Sequence, residues 1–362
     1  MDSRTFVVLG IFFCLSILAK DLPVAEALWG GLYPNESPSR EIKTLDGVWN
    51  FRRAPRLDPD QGFREEWYNQ PLKKSGSVIP MAVPSSYNDI TQDKSLREHI
   101  GWVWYDRMFV VPSRWQEDNL RVFLRLGSAH YHAIIYLNGL EIASHEGGHL
   151  PIRAEITNFL LYGQENLVTV ALNNILTPQT IPQGKIVYHN ESDGYPNNYF
   201  IQTYDFDFFN YAGIHRPVVL YTTPQTYIED ILINTDIDGA DGIITYNLTT
   251  SSVLSNLHGT RATECVIEVL DKLGEPVANT TGCSGTIRVA NANFWWPYMM
   301  AAQPGYLYTL WISINDGTGR WDSYPEKVGI RTVGLNSTNL SINDVPIYIR
   351  GLGKHEDSDV SL

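Results

Sequence analysis

Short apolar runs with a period of two, broken by Gly, Pro, Asn and Asp, set the pattern of this chain, and no long helical period crosses it. Residues 121–126 and 133–137 are the clearest strands. Asn138-Gly139 follows the second, a pair suited to a two-residue hairpin because both central positions need positive φ. Residues 141–145 return, Glu146-Gly147-Gly148-His149-Leu150-Pro151 makes a tight loop, and 166–173 is a further strand. Upstream, Asp46-Gly47 feeds the alternation Val48-Trp49-Asn50-Phe51, and Gly101-Trp102-Val103-Trp104-Tyr105 opens a strand ending at Val111-Pro112. Residues 52–80 read as polar and irregular. Residues 174–204, rich in Pro, Asn, Gly and Tyr, read as one long loop, and such loops in compact domains usually serve function.

Thr222-Thr223-Pro224 marks a boundary. Beyond it, strands are expected at 227–235, 243–250, in a hairpin from 265 to 283, and at 286–289, 307–314 and 326–333. That spacing over about one hundred residues suits an Ig-like sandwich. Residues 340–351 read as a hairpin plus the first strand of something new. Two successive all-β sandwiches are therefore expected.

With 362 residues, 43% of them hydrophobic, the chain can bury more than one core. Its formal net charge of −13 repels phosphate backbones, which argues against a nucleic-acid partner. It carries no Gly-rich phosphate loop, HExxH or paired CxxC. His145 and His149 lack a third ligand at supporting spacing and read as solvated loop histidines.

Residues 1–27 read as a secretory signal. Arg4 precedes an apolar run, 6–19, that is short for a bilayer, and Ala25-Glu26-Ala27 is a small-residue cleavage site. Cleavage near Ala19 is the alternative, and a membrane anchor is the competing reading. No other segment is long and apolar enough to span a membrane. The expected location is the secretory pathway, and in that compartment Cys265 and Cys283 remain after Cys14 leaves. Folding their hairpin symmetrically about Gly274 sets them opposite one another, close enough for a disulfide; two reduced core thiols are the competing reading, favoured by any register slip. Glycosylation sequons fall at Asn35, Asn190, Asn247, Asn279, Asn336 and Asn339, with Pro38 hindering transfer at the first.

One stretch concentrates candidate chemistry. Asp205-Phe206-Asp207-Phe208-Phe209-Asn210-Tyr211-Ala212-Gly213-Ile214-His215-Arg216 packs acids among aromatics before an apolar strand. Aromatic rings stack on sugar C–H faces and carboxylates accept hydroxyl hydrogen bonds, so a sugar contact by Asp207 is one reading. A buried aromatic cluster with one capped Asp is the other.

Residues 207–216, with Leu220-Tyr221-Thr222-Thr223-Pro224, resemble the signature segment of the β-glucuronidases of glycoside hydrolase family 2. Other segments resemble that family too: Leu45-Asp46-Gly47-Val48-Trp49-Asn50-Phe51, Val83-Pro84-Ser85-Ser86-Tyr87-Asn88-Asp89, Phe294-Trp295-Trp296-Pro297-Tyr298, and Lys327-Val328-Gly329-Ile330-Arg331-Thr332-Val333. Gly351-Leu352-Gly353-Lys354-His355-Glu356-Asp357-Ser358-Asp359 is similar to the opening of the family's catalytic barrel, with Gly353 where the family has Asn.

The resemblance implies a jelly-roll, sugar-binding-like domain at 28–223, an Ig-like β-sandwich at 224–338, and the start of a truncated (β/α)8 barrel at 339–362. It implies that Asp207 orients substrate, that His355 touches sugar hydroxyls, and that Glu356 and Asp357 lend hydrogen-bond support. Stacked Trp295 and Trp296 are expected at an inter-domain contact, and Arg331 as a structural ion-pair partner. The substrate class implied is a glucuronide-terminated oligosaccharide, cleaved with retention and without a cofactor by a full-length homo-tetramer in the lysosome or outside the cell. Retaining glycosidases need two carboxyl groups roughly 5 Å apart. No residue here matches either family glutamate, so the chain alone is expected to be inactive. The loss of the match at Val360 is expected from a read-through intron donor, a short isoform or an incomplete gene record. A secreted carbohydrate-binding module and an Ig-type scaffold are the competing function classes.

Overall fold

The computed structural model describes residues 31–189, 194–196, 199–204, 210–252, 264–315, 317 and 319–353. The described chain is mainly β and builds two sandwiches, each with its own core. The first is the jelly roll. Its six-stranded sheet runs in the order Ile79–Val83, Gly47–Arg53, Trp102–Val110, Glu165–Asn173, His132–Leu137, Leu140–Glu146. Its four-stranded sheet runs Ile42–Thr44, Val218–Thr223, Arg121–Leu126, Ile152–Glu155. Alternate residues of both sheets, among them Phe51, Tyr105, Leu124, Ile135, Val170 and Leu220, meet in a buried core. Asn138 and Gly139 take φ of 52° and 85°, as the hairpin requires.

Two stretches of the jelly roll differ from the sequence expectation. Residues 52–80 are not irregular: helical turns at Gln61–Arg64, Trp67–Asn69 and Leu72–Ser75 cover the outer face of the six-stranded sheet. Phe63, Trp67 and Leu72 pack there with Trp104 and Tyr136. Turns of three or four residues are too short to display a helical period. Within 174–204, Lys185–His189 pairs antiparallel with Tyr199–Thr203. These strands lie at the surface, and burial on one face, the source of apolar alternation, is weak.

The second sandwich is Ig-like. A three-stranded sheet, Thr226–Asp238, Asp241–Ser252, Ser284–Val289, faces a four-stranded one, Pro276–Thr281, Glu264–Leu270, Tyr308–Asn315, Trp321–Val328. Ile244, Ile267, Leu310, Ile312 and Tyr324 fill the space between. The last strand starts five residues before the expected 326 because Pro325 masks it; Pro is tolerated on this sheet edge. Cys265 is disulfide-bonded to Cys283. The hairpin holding them slips at Val269/Leu270, so the Cys265 carbonyl accepts from Gly282 N–H at 2.8 Å, and the bond reaches one residue further. Cys283 in turn gives its carbonyl to Leu248 N–H at 2.8 Å, so the bridge ties the two sheets together.

The segment before the first strand straps the sandwiches together. Arg40 donates to both oxygens of Asp322 at 2.9 and 2.5 Å and to the Ile228 carbonyl at 2.8 Å. Asp322 also accepts from Ile228 N–H and Ser39 Oγ, each at 2.8 Å, and both side chains of the pair are buried. Asn35 donates to the Tyr324 hydroxyl at 3.0 Å. A second tie joins Arg153 to Glu229 at 2.5 Å and to the Tyr227 hydroxyl at 3.1 Å. Residues 333–335, 340–342 and 345–346 form a small sheet, and among the described residues no barrel is closed.

Candidate functional site

Asp207 and His355, the two residues expected to contact substrate, lie outside the described residues, as do Glu356 and Asp357. What the structure describes is the anchor on which the 207 segment ends. Residues 210–214 lie between the 85–88 segment and His130, and their backbone groups are taken up from both sides. Ser85 N–H donates to the Ile214 carbonyl at 2.8 Å and Tyr87 N–H to the Ala212 carbonyl at 2.9 Å. Asn88 Nδ2 donates to the Asn210 carbonyl at 2.8 Å, while its Oδ1 accepts from Ala212 N–H at 2.9 Å and Ser86 Oγ at 2.7 Å. On the other side, His130 N–H donates to the Gly213 carbonyl at 3.0 Å and His130 Nδ1–H to the Tyr211 carbonyl at 3.1 Å. Gly213 has φ of +134°, and a Cβ there would lie 2.6 Å from the Ser85 carbonyl oxygen, so glycine alone lets the segments approach this closely.

Three histidines distant in sequence meet under this anchor. The His130 ring is 4.0 Å from that of His215 and 4.3 Å from that of His149. Burial, then the neighbouring His215 and His149, pushes the His130 pKa down to about 3. Burial, then His149, pushes His215 down to about 4. His149 Nε2–H donates to the Ile181 carbonyl at 2.6 Å. His149 is thus a packed member of the cluster, which corrects its reading as a solvated loop residue. His130 and His215 stack face to face, and among the described residues no group of His, Cys, Asp or Glu is placed to hold a metal ion. Tyr87, Tyr105 and Tyr131 also end here, with hydroxyls that are buried and without partners among the described residues. Burial raises all three phenol pKa values, so they stay neutral.

Sequence reasoning flagged 83–89 as a motif but assigned Asn88 no role, and it missed His130. The motif was the available signal for Asn88. Nothing in sequence spacing joins His130 to His215.

Asn190 lies outside the described residues; Asn247, Asn279, Asn336 and Asn339 are exposed. Asn279 sits on the edge strand Pro276–Thr281. The Asn336 side chain caps its own turn, accepting from Thr338 N–H at 2.9 Å and Asn339 N–H at 2.8 Å. Arg331 forms no ion pair among the described residues: its guanidinium lies 4.8 Å above the Trp295 ring and donates to the Gly329 carbonyl, because the aromatic face offers an alternative to a carboxylate. Trp295 lies against Gly329, and its carbonyl accepts from Asn343, so this corner packs on the second sandwich and the small terminal sheet.

Comparison with known proteins places this geometry. Residues 42–224 match the family described as glycosyl hydrolases family 2, sugar binding domain, and residues 226–331 match glycosyl hydrolases family 2. A β-glucuronidase of Mus musculus is 45% identical over 362 residues, covering 99% of this chain and 54% of its own length. That of Homo sapiens is 44% identical, covering 93% and 52%. Among solved structures, a β-glucuronidase of an uncultured Clostridium aligns with a TM-score of 0.76 at 42% identity, covering 91% of this chain and 51% of that one. A Ruminococcus gnavus β-glucuronidase in complex with D-glucuronic acid aligns at 0.77 and 34% identity, covering 90% and 52%. The chain spans about half the length of the curated relatives it matches, and over that half, in both of its sandwiches, it belongs to glycosyl hydrolase family 2.

Proposed function

We propose that this chain is the substrate-orienting half of a β-glucuronidase, a glycosidase that releases terminal β-D-glucuronic acid from oligosaccharides. The observation carrying this is identity of 42–45% with the β-glucuronidases of Mus musculus, Homo sapiens and an uncultured Clostridium, continuous through both sandwiches. The anchor supports a role for Asp207: residues 210–214 are fixed from two sides immediately after it. On this reading Asp207 and His355 touch sugar hydroxyls, and the reaction proceeds with retention and without a cofactor. One carboxylate would attack the anomeric carbon as the other protonates the departing oxygen; water would then release the sugar. Neither carboxylate belongs to this chain, so 1–362 alone is inactive.

The chain enters the secretory pathway through a signal at 1–27 and carries glycans at Asn190, Asn247, Asn279, Asn336 or Asn339. The domains divide at 223/224 and 338/339, with the last segment opening a barrel. The longer protein is a homo-tetramer of the lysosome or extracellular space. The test is hydrolysis of an aryl β-D-glucuronide by the chain alone and by the chain continued into a relative's barrel. The expected result is no turnover in the first and turnover in the second that falls at least about a hundredfold in Asp207→Ala. Turnover by 1–362 alone, or none by the joined protein, overturns the proposal.

A further inference from the structure

A second feature of the jelly roll has no part in the anchor. Next to the Lys185–His189/Tyr199–Thr203 hairpin lies a groove of about 440 Å³. One wall is Trp102, on the outer face of the six-stranded sheet, held edge-on by Phe63 at 4.8 Å. The other is Tyr188 and Phe200, cross-strand partners whose rings lie 5.8 Å apart and tilted by 57°. Tyr188 is 72% exposed. At the rim, the turn at 54–60 brings Arg56 to 5.0 Å from the Phe200 ring and sets Asp60 nearby. Among the described residues neither Arg56 nor Asp60 has an ion-pair partner.

The geometry points to a glycan-binding groove that takes two linked pyranose rings of an oligosaccharide. An apolar ligand would strip water from Arg56 and Asp60 and return nothing. A pyranose offers a C–H face to each aromatic ring and, at its edge, hydroxyls that accept from a guanidinium and donate to a carboxylate. The tilt between Tyr188 and Phe200 disfavours a flat aromatic guest, which needs parallel faces, and suits chair rings twisted about a glycosidic bond. The volume lies within the range of small-ligand sites and fits a disaccharide unit. This site does not depend on hydrolysis and can stand or fall apart from it.

The test is a titration of the full chain by calorimetry and by tryptophan fluorescence. One probe is a tetrasaccharide of alternating glucuronic acid and N-acetylglucosamine; the other is cellotetraose. Binding of at least one probe is expected, weakened about tenfold in Tyr188→Ala and again in Phe200→Ala. Tyr188 is exposed, so the first variant should melt with the parent, which separates lost binding from lost folding. No binding of either probe at millimolar concentration overturns the proposal. So does binding that both variants retain in full.

Discussion

The carboxamide of Asn88 donates to the Asn210 carbonyl across 122 residues of sequence. It also accepts from Ala212 N–H, so one side chain spans the backbone on both sides of Tyr211. Asn88 is 5% exposed, and no solvent can replace it cheaply. Asn88→Ala should cost about 2–4 kcal/mol, because it leaves the Asn210 carbonyl and Ala212 N–H without their partner. The check is urea unfolding combined with amide exchange, where Ala212 N–H should lose protection ahead of the sheets.

Arg40 and Asp322 make the tie between the sandwiches a second point of failure. Asp322→Ala leaves a guanidinium buried without its counter-charge and should cost about 3–5 kcal/mol. Adding Arg40→Met should recover much of that loss, because the uncompensated charge goes with it. Unfolding free energies of both singles and the double close the cycle. A double variant no better than Asp322→Ala would show that the hydrogen bonds to Ile228 and Ser39, and not the charge pairing, hold the tie.

The histidine cluster predicts the direction of acid sensitivity. His130 and His215 have folded pKa values, about 3 and about 4, below the ordinary value near 6.5. Well above pH 6.5 both are neutral in either state and contribute no pH dependence. As pH falls from there toward 4, the unfolded chain takes up protons that the folded chain refuses, and stability declines. Each histidine removes up to about 1.4 kcal/mol per pH unit across that window. Among the described residues, the charged groups acting on His130 and His215 are their neighbours His149 and Arg216, with His215 also acting on His130, and each of them adds to the effect. The parent should therefore lose melting temperature steeply between pH 6 and 4, and His130→Gln should flatten that slope. An unchanged slope in the variant would remove His130 from the account.

The disulfide should act on one core only. Reduction, or replacement of both Cys265 and Cys283, should destabilise the Ig-like sandwich by about 3 kcal/mol, the chain-entropy expectation for a loop of this size. The loop that the disulfide closes contains no residue of the jelly roll. Calorimetry with and without reductant should move one transition and leave the other in place.

The strands that could be read from sequence are those buried on one face. Residues 121–126 alternate between core and interface and form the strand Arg121–Leu126. Asn138-Gly139 turns the next hairpin because its φ requirement is local. What escaped depends on distant partners. Trp67 and Leu72 look like isolated apolar residues in a polar stretch until Trp104 is set opposite them. The site divides in the same way. The 83–89 and 207–216 motifs were visible as words, but their pairing through Asn88 and Gly213 is a three-dimensional fact. His130, His149 and His215 lie in separate loops and strand ends, and no periodicity links them.

The strap at residues 35–40 has a consequence in time. Asn35 and Arg40 find their partners 289 and 282 residues later in the chain. At roughly 5–20 residues per second on the ribosome, that interval is on the order of tens of seconds. The jelly roll can therefore close while its own leading segment hangs loose, open to chaperones and proteases. The residues synthesised early in the mature fold are secured late, when Asp322 and Tyr324 emerge and the second sandwich shuts over them.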